Sequence, residues 1–212
     1  EDNVIIVTAT KREQTLQDVP ISVSVTSAET IERSQVRDLI DLQTLVPSLK
    51  VGQLQSSANT NFIIRGFGNG ANNSGIEPSV GVFIDGVYRS RSAAQIGDLA
   101  NIQRVEVLRG PQGTLYGRNT PAGIVKFDSV RPDKEGANYL KASFGRFNTA
   151  GIETGIGGKV TDSLSIRGSL SWQRRSDWVD NIDNFNNGSD LEGYADLAAR
   201  LQVQYAPADN VK

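Results

Sequence analysis

Two segments in the second half of the chain alternate between apolar and polar side chains, and this limits their fold more than any other feature of the sequence. In residues 164–173 one face carries Leu, Ile, Gly, Leu and Trp, and the other carries Ser, Arg, Ser, Ser and Gln. Residues 195–205 repeat the pattern. A period of two predicts β-strands rather than amphipathic helices. Strands of about 10 residues with one apolar face are typical of a transmembrane barrel wall, although half-buried strands of a soluble β-sandwich alternate in the same way.

The connections between the alternating segments add a second indication of a barrel. No apolar run approaches the roughly 20 residues of a membrane helix, so any membrane span would consist of strands. Shorter alternating segments cover residues 139–147 and 150–160, which predicts about four strands in this region. The connection at Asp162-Ser163 is short, whereas residues 176–190 are long and polar. Short turns on one side and long loops on the other are typical of outer-membrane barrels.

Residues 19–132 have a different character, because a helical pattern interrupts short strands that glycine separates. Thr26-Ser27-Ala28-Glu29 has the spacing of a capping box, and it predicts a helix that Pro47 ends. Asp85-Gly86 predicts a two-residue hairpin, because both turn positions tolerate positive φ. We therefore predict an α+β domain, a small mixed sheet with short helices, preceded by an extended polar tether over residues 1–18. The predicted strands are residues 21–26, 62–66, 80–84 and 105–110.

The residue types that are missing exclude several kinds of chemistry. The chain has no histidine and no cysteine, which excludes Ser-His-Asp and Cys-His catalytic sites and metal coordination by imidazole or thiolate. We therefore predict no metal site and no cofactor. We also predict no enzymatic activity, because nothing in the sequence places two carboxylates in a glycosidase-like cleft. The net charge is -2 and there is no basic block, so nucleic acid is excluded as a partner.

The order of motifs in the first part of the chain resembles that of the TonB-dependent outer-membrane receptor family. No single motif is decisive, but together they follow the family's order and spacing. One departure is Ala122-Gly123-Ile124-Val125-Lys126-Phe127, where the family usually carries paired glycines, so the pairing of this strand stays open. The matching motifs are Val4-Ile5-Ile6-Val7-Thr8-Ala9, Asp18-Val19-Pro20-Ile21-Ser22-Val23, Leu45-Val46-Pro47-Ser48-Leu49, Ile63-Ile64-Arg65-Gly66, Val82-Phe83-Ile84-Asp85-Gly86-Val87-Tyr88 and residues 102–117.

The resemblance implies a plug domain followed by antiparallel strands of a transmembrane β-barrel, with residues 1–18, 19–132 and 133–212 as tether, plug and first barrel strands. Members of the family resemble closed barrels of about 22 strands, so we expect the barrel to be incomplete in this chain. The implied location is the outer membrane of a Gram-negative bacterium, in contact with its lipid, with the plug and the TonB box facing the periplasm. The implied function is active transport of a scarce nutrient such as a siderophore, a vitamin or an oligosaccharide, with the plug as a ligand-sensing gate.

The segment Val4, Ile5, Ile6, Val7, Thr8 and Ala9 resembles the TonB box, and the implied partner is the energy-transducing protein TonB. An apolar extended segment on a polar tether offers unpaired backbone groups, which a partner sheet can bind as an added strand. The alternative is a structural edge strand of the plug.

Two further sets of residues take a role from the resemblance. Arg65 and Arg109 end two predicted strands beside glycine, and the resemblance implies that they pair with barrel carboxylates and lock the plug to the wall; solvated arginines at strand ends are the alternative. A small-molecule ligand would meet two polar loops at the outer side of the plug, whose amides, phenol and guanidinium groups suit carboxylates or phosphates. Ordinary surface loops are the alternative. The candidate ligand-binding residues are Asn72, Asn73, Tyr88, Arg89 and Arg91.

Two classes of function remain open on the sequence. The first is active uptake across the outer membrane, and the second is a ligand-binding or signalling module with a plug-like fold. A transducing receptor would carry a further folded domain before the TonB box, whereas this sequence begins at the box, which favours transport unless the sequence is trimmed.

Overall fold

A computed structural model describes residues 6–12, 14–34, 36, 39–53, 60–68, 77–90, 101–179 and 193–206. The chain divides into two compact units, Glu1–Ser129 and Val130–Lys212, and the predicted boundary after residue 132 lies close to this division. Several of the predicted site residues lie outside the described residues: Val4, Ile5, Asn72, Asn73 and Arg91.

The first unit is built on a mixed five-stranded sheet that short helices and two small strand pairs surround. In chain order its elements are β1 (Ile6–Val7), β2 (Gln14–Thr15), β3 (Val23–Ser27), α1 (Ala28–Arg33), α2 (Leu39–Leu45), β4 (Leu49–Gln53), β5 (Thr60–Ile64), β6 (Val80–Ile84), β7 (Val87–Arg89), β8 (Ile102–Arg109), α3 (Gly113–Tyr116) and β9 (Gly123–Ser129). The central sheet has the order β3-β8-β9-β6-β7. Strands β6 and β9 are parallel, and the other neighbours are antiparallel. This is the predicted α+β class.

The predicted single helix before Pro47 is wrong in its extent, because the structure has two short helices. The Ser27 hydroxyl caps α1 by accepting from the backbone N–H of Thr30 at 3.2 Å, one residue later than the predicted cap. Ile31 and Val36 are both buried in the same core. In one continuous helix these side chains would point about 140° apart. The interruption between α1 and α2 lets both reach the core.

The two faces of the central sheet are covered by different parts of the chain. On one face α1, α2 and the β4–β5 pair enclose the larger apolar cluster. On the other face, residues near the start of the chain pack against the sheet. The members of this second cluster are Val7, Ala9, Val19, Phe83, Leu108 and Ile124.

The prediction of an extended polar tether is therefore corrected for the described part of residues 1–18. Strand β1 pairs antiparallel with β2, and Val7 and Ala9 are fully buried. Phe83 and Leu108 would contact water on this face of the sheet without that cover. Burial of apolar side chains from both sides stabilises the packed arrangement over a solvated tether.

The strand whose pairing the sequence leaves open, β9, lies at the centre of the sheet. Strand β9 pairs with β8 on one side and with β6 on the other. Gly123 begins it at φ 144°, and a Cβ there would lie 2.3 Å from the carbonyl oxygen of Leu108, so this position requires glycine. The predicted hairpin at Asp85-Gly86 is confirmed, with φ of 50° and 80°, and the Asp85 carboxylate accepts from the backbone N–H of Ser129 at 2.8 Å.

The second unit is a four-stranded antiparallel sheet in which consecutive strands are neighbours. Its elements are β10 (Tyr139–Gly145), β11 (Thr149–Lys159), β12 (Leu164–Arg175) and β13 (Tyr194–Tyr205), in the order β10-β11-β12-β13. The predicted alternation is confirmed as strand structure, and β11, β12 and β13, with 11 or 12 residues each, are longer than any strand of the first unit. Among the described residues no helix has the length and apolar character of a membrane span.

The apolar face of this second sheet is the exposed one. Leu197 and Leu201 are 71% and 74% exposed, whereas Arg167 on the polar face is fully buried. A soluble sheet buries its apolar face and leaves its polar face in water. The observed inversion is the arrangement expected of strands whose outer face contacts lipid.

We expect the 212-residue chain to require detergent or lipid in solution, or otherwise to associate with itself. The exposed apolar face of the second sheet is large, and β10 and β13 have only one neighbouring strand each in the described part of the chain. Such faces and edges drive association in water. Sedimentation velocity with and without detergent tests this, and a monomer in plain buffer with protected amides from β10 to β13 would contradict it.

Candidate functional site

The box segment, residues 6–9, packs on the face of the central sheet that carries Phe83, Leu108 and Ile124, and it is held by its backbone as well as its side chains. Val7 and Ala9 point into the apolar cluster and are fully buried, whereas Ile6 is 43% exposed. Among the described residues, the ladder between β1 and β2 contains two residue pairs, Ile6 with Thr15 and Val7 with Gln14. The described part of the segment is therefore a short strand with a short ladder.

Beneath the box segment, four charged side chains of β8 and β9 form a compact ion quartet: Arg104, Glu106, Lys126 and Asp128. The Nε of Arg104 lies 2.8 Å from Glu106 Oε1, and its Nη2 lies 2.8 Å from Asp128 Oδ2. Lys126 Nζ lies 2.9 Å from Asp128 Oδ2 and 3.5 Å from Glu106 Oε2. Glu106 is fully buried. Two cations and two anions leave the quartet neutral, which is the condition under which buried charges are tolerated.

Thr8 closes the quartet from the box side. Its backbone N–H donates to Glu106 Oε1 at 3.1 Å, and its hydroxyl donates to the same oxygen at 3.4 Å. The same hydroxyl accepts from Arg104 Nη2 at 3.1 Å and from Lys126 Nζ. A hydroxyl is able to donate and accept together, so this one side chain contacts both signs of charge. Detaching the box would remove these contacts from the quartet.

Tyr116, at the end of α3, holds the next residue of the box. Its hydroxyl donates to the carbonyl oxygen of Ala9 at 2.8 Å, and its ring packs edge-on against Phe83 with centroids 5.1 Å apart. Lys11 Nζ lies 5.3 Å from the ring centroid. Burial, together with the negative charges of Glu106 and Asp128, raises the pKa of Tyr116 to about 12.

The raised pKa of Tyr116 predicts that its contribution to stability is lost between about pH 10, the usual pKa of a free phenol, and pH 12. The folded chain keeps the phenol proton in this window and the unfolded chain releases it, so the contribution is complete below pH 10 and declines above it. A phenolate also loses the hydrogen bond to Ala9. Phenolate absorbance in a pH titration measures this, with Tyr116→Phe as the comparison. An unchanged titration curve in that variant would contradict the assignment.

The two arginines predicted to lock the plug converge on Ser48. Arg109 donates from Nε to Ser48 Oγ at 2.6 Å, from Nη1 to Ser22 Oγ at 3.1 Å and from Nη2 to Ser24 Oγ. The backbone N–H of Arg65 donates to the Ser48 carbonyl oxygen at 2.9 Å, and the Arg65 side chain is exposed. No carboxylate among the described residues pairs with Arg109, so its role toward a barrel carboxylate stays a prediction.

The two described candidates for ligand binding lie on an edge strand, which corrects their predicted place in a loop. Tyr88 and Arg89 belong to β7, which pairs with β6. Asn119 Nδ2 donates to the Tyr88 hydroxyl at 3.2 Å and to Glu77 Oε2 at 2.7 Å; Glu77, Tyr88 and Asn119 are called the Tyr88 cluster below. Arg89 Nε is buried without a hydrogen-bond partner in the described part of the chain. The pairing with β6 makes these positions strand rather than loop.

Sequence reasoning does not identify the ion quartet, Tyr116 or Asn119 as site residues. A signal for the quartet exists, because Arg104 and Glu106 alternate with valines in a strand that is otherwise buried, and buried charges require partners. Nothing in the sequence marks Asn119, which lies at φ 68°. Within the described residues no group of acidic side chains could hold a metal ion.

Comparison with known proteins agrees with this architecture. The model of the TonB-dependent Receptor Plug Domain matches residues 15–124, more than half of the 212-residue chain. The chain therefore belongs to this family. The structure is similar to that of the ferric yersiniabactin uptake receptor FyuA from Yersinia pestis, with a TM-score of 0.73 and 27% identity over 89% of this chain and 29% of that chain.

Curated relatives extend the comparison to both units. The pesticin receptor of Yersinia pestis is 26% identical over 99% of this chain and 31% of its own length. The ferrichrome outer membrane transporter/phage receptor of Escherichia coli (strain K12) is 29% identical over 89% of this chain and 24% of its own length. The chain thus spans about a third or less of these relatives. They are receptors and transporters rather than enzymes.

Proposed function

We propose that the protein takes up a scarce nutrient across the outer membrane of a Gram-negative bacterium, driven by TonB, with the first unit as the gate. The observation that carries the proposal is the box segment, a short apolar strand whose described residues are held on the plug by a ladder of two residue pairs. A segment with these properties is suited to transfer from its own sheet to the sheet of a partner.

Transfer to TonB would act on the plug through Thr8. Its N–H and hydroxyl are bonded to Glu106, and Arg104 and Lys126 donate to the hydroxyl. Pulling on the box removes these contacts and opens one side of the neutral quartet to water. Water raises the local dielectric, so the attraction between the charged side chains of β8 and those of β9 becomes weaker. The pairing of these two strands at the centre of the sheet is weakened as a result.

We propose that the second unit is the start of the barrel wall and contacts outer-membrane lipid, with the plug and box toward the periplasm. Its outward face consists of apolar side chains, and its polar face contains the buried Arg167. We also propose that Arg65 and Arg109 pair with carboxylates of the barrel and so lock the plug. Neutral serine hydroxyls hold Arg109, so its positive charge stays available to a carboxylate of the barrel.

We propose that the ligand contacts the plug at Asn72, Asn73, Tyr88, Arg89 and Arg91. The support is Arg89, whose buried Nε has no partner in the described residues; Arg89 and Tyr88 are consecutive residues of β7. Relatives are named for ferrichrome and vitamin B12 transport and for ferric yersiniabactin uptake. A ferric siderophore, which presents many oxygen acceptors, suits guanidinium and amide donors, and it is the ligand class we propose to test first.

The test is paired binding and accumulation in cells that express the full-length receptor. The probes are radioactive iron bound to ferrichrome, ferrioxamine B or yersiniabactin, and labelled vitamin B12. We expect surface binding of one probe with or without the ion gradient, and accumulation only when both the gradient and TonB are present. Accumulation that survives an uncoupler would contradict the proposal, and binding without any accumulation would favour a binding or signalling module.

A further inference from the structure

Three aromatic rings connect the box segment to the Tyr88 cluster. Tyr116, bonded to the Ala9 carbonyl oxygen, packs edge-on against Phe83 with centroids 5.1 Å apart. Phe83 also packs against Tyr88, with centroids 5.4 Å apart. The Tyr88 hydroxyl in turn accepts from Asn119. The row of three rings therefore runs from the hydrogen bond between Tyr116 and Ala9 to the hydrogen bond between Asn119 and Tyr88.

The central ring of this row has little room to move independently. Phe83 is 6% exposed and lies in the cluster with Leu108 and Ile124. A Cβ added at Gly81 would lie 3.2 Å from Phe83 Cε2, so the ring lies close over the backbone of its own strand. In a close-packed interior a displaced side chain displaces its neighbours. Phe83 is thus placed between the two tyrosines, where it would carry a shift of the Tyr88 ring to Tyr116.

We propose that Tyr116 is the positioning residue that sets how readily the box segment is released, and that Phe83 couples it to the state of the Tyr88 cluster. This inference rests on the proposed function, because it assigns a regulator to the box. A ligand group that recruits Asn119 or the Tyr88 hydroxyl changes the position of the Tyr88 ring. The Tyr116 hydroxyl then loses its alignment with Ala9, and the docked box is weakened. The ligand drives this change only to the extent that it binds the released state more tightly.

Amide hydrogen exchange in the full-length receptor in detergent, without any ligand, measures the coupling. The reporter is the Thr8 N–H, which donates to Glu106 in the docked state. Tyr116→Phe removes one hydrogen bond and should raise the exchange rate of this amide by about 2- to 12-fold. Tyr88→Phe should also raise it, by roughly 2- to 5-fold, although Tyr88 does not touch the box. In the double variant Tyr116→Phe/Tyr88→Phe, the Thr8 amide should exchange more slowly than the product of the two single effects predicts.

The same two substitutions are then made in a Phe83→Leu variant, which lacks the ring between Tyr88 and Tyr116. In this variant, Tyr88→Phe should leave the exchange rate of the Thr8 amide unchanged, while Tyr116→Phe should still raise it. Val87→Ala, at the exposed neighbour of Tyr88, controls for general weakening of the edge strand. The amides of Ile124 and Val125 report on global unfolding, so a variant that merely fails to fold is recognised.

Two results would overturn the inference. The first is an exchange rate of the Thr8 amide that Tyr88→Phe leaves unchanged. The second is a double variant whose exchange rate equals the product of the two single effects. Either result would show that the rings do not couple the two sites. The measurement requires neither TonB nor a transported nutrient. Its failure is therefore distinct from failure of the proposed transport, which the uptake experiment decides.

Discussion

Proline in place of Ile6 is expected to abolish energised uptake while leaving ligand binding at the cell surface intact. If the box is captured as an added strand, its affinity for TonB comes mainly from main-chain hydrogen bonds, and alternate side chains add selectivity. Proline removes a ladder donor and fixes φ. The lost hydrogen bond alone costs about 0.5 to 1.5 kcal/mol, which is roughly a 2- to 12-fold loss of affinity for TonB, and the fixed φ adds to this loss.

Ile6 suits this experiment because its side chain is partly exposed, at 43%, whereas Val7 is fully buried in the plug. The matched control is Ile6→Ala, which shortens the side chain and keeps the N–H. It should lower uptake only slightly. Proline at Val7 should also stop uptake, but it would disturb the packing against Phe83 and Leu108 as well.

The measurement compares binding and accumulation of the same probe in the same cells, with deletion of residues 1–9 as the reference for complete loss. Binding should persist in every variant, because none of the candidate ligand-binding residues is altered. Uptake at the original rate in both the proline variant and the deletion would refute energised transport through this segment, and would leave the plug as a binding module or a simple stopper.

Arginine in place of Leu201 is expected to prevent stable insertion of the barrel. Leu201 lies near the middle of β13, is 74% exposed and faces the same side as Leu197 and Val203. If this face contacts hydrocarbon, a charge there costs about 2 to 4 kcal/mol. That is roughly a 30- to 1000-fold shift in the folding equilibrium. The measurement is urea-dependent folding of the full-length receptor into lipid vesicles, together with its amount in the outer membrane of cells.

Gln204→Arg is the matched control on the opposite face of the same strand. Gln204 donates to Asp133 at 3.2 Å, so an arginine there meets a carboxylate instead of lipid. We expect nearly normal insertion of this variant. Equal loss for both substitutions would mean that the exposed apolar face does not contact lipid, and the soluble β-sandwich interpretation would then regain support.

The local features of the fold are those that the sequence by itself determined. The period of two around Leu170 and Leu201 predicts strands and the residues that share each face, because side chains alternate along any strand. Asp85-Gly86 predicts its hairpin, because both residues tolerate positive φ. The helix before Pro47 was predicted in type but not in extent, because the break after Arg33 depends on where Ile31 and Val36 meet the core.

Only the tertiary structure decided where the apparent tether lies. The same apolar pattern at Ile6-Val7 is compatible with a free strand and with a packed one, and the difference depends on the opposite surface. That surface comes from β8 and β9, so Thr8 meets Glu106 and Lys126, 98 and 118 residues further along the chain. Tyr116 is 107 residues from Ala9. Periodicity reports which face of an element is apolar, but the partner of that face is set by chain topology, and so the site appears only when the sheet is assembled.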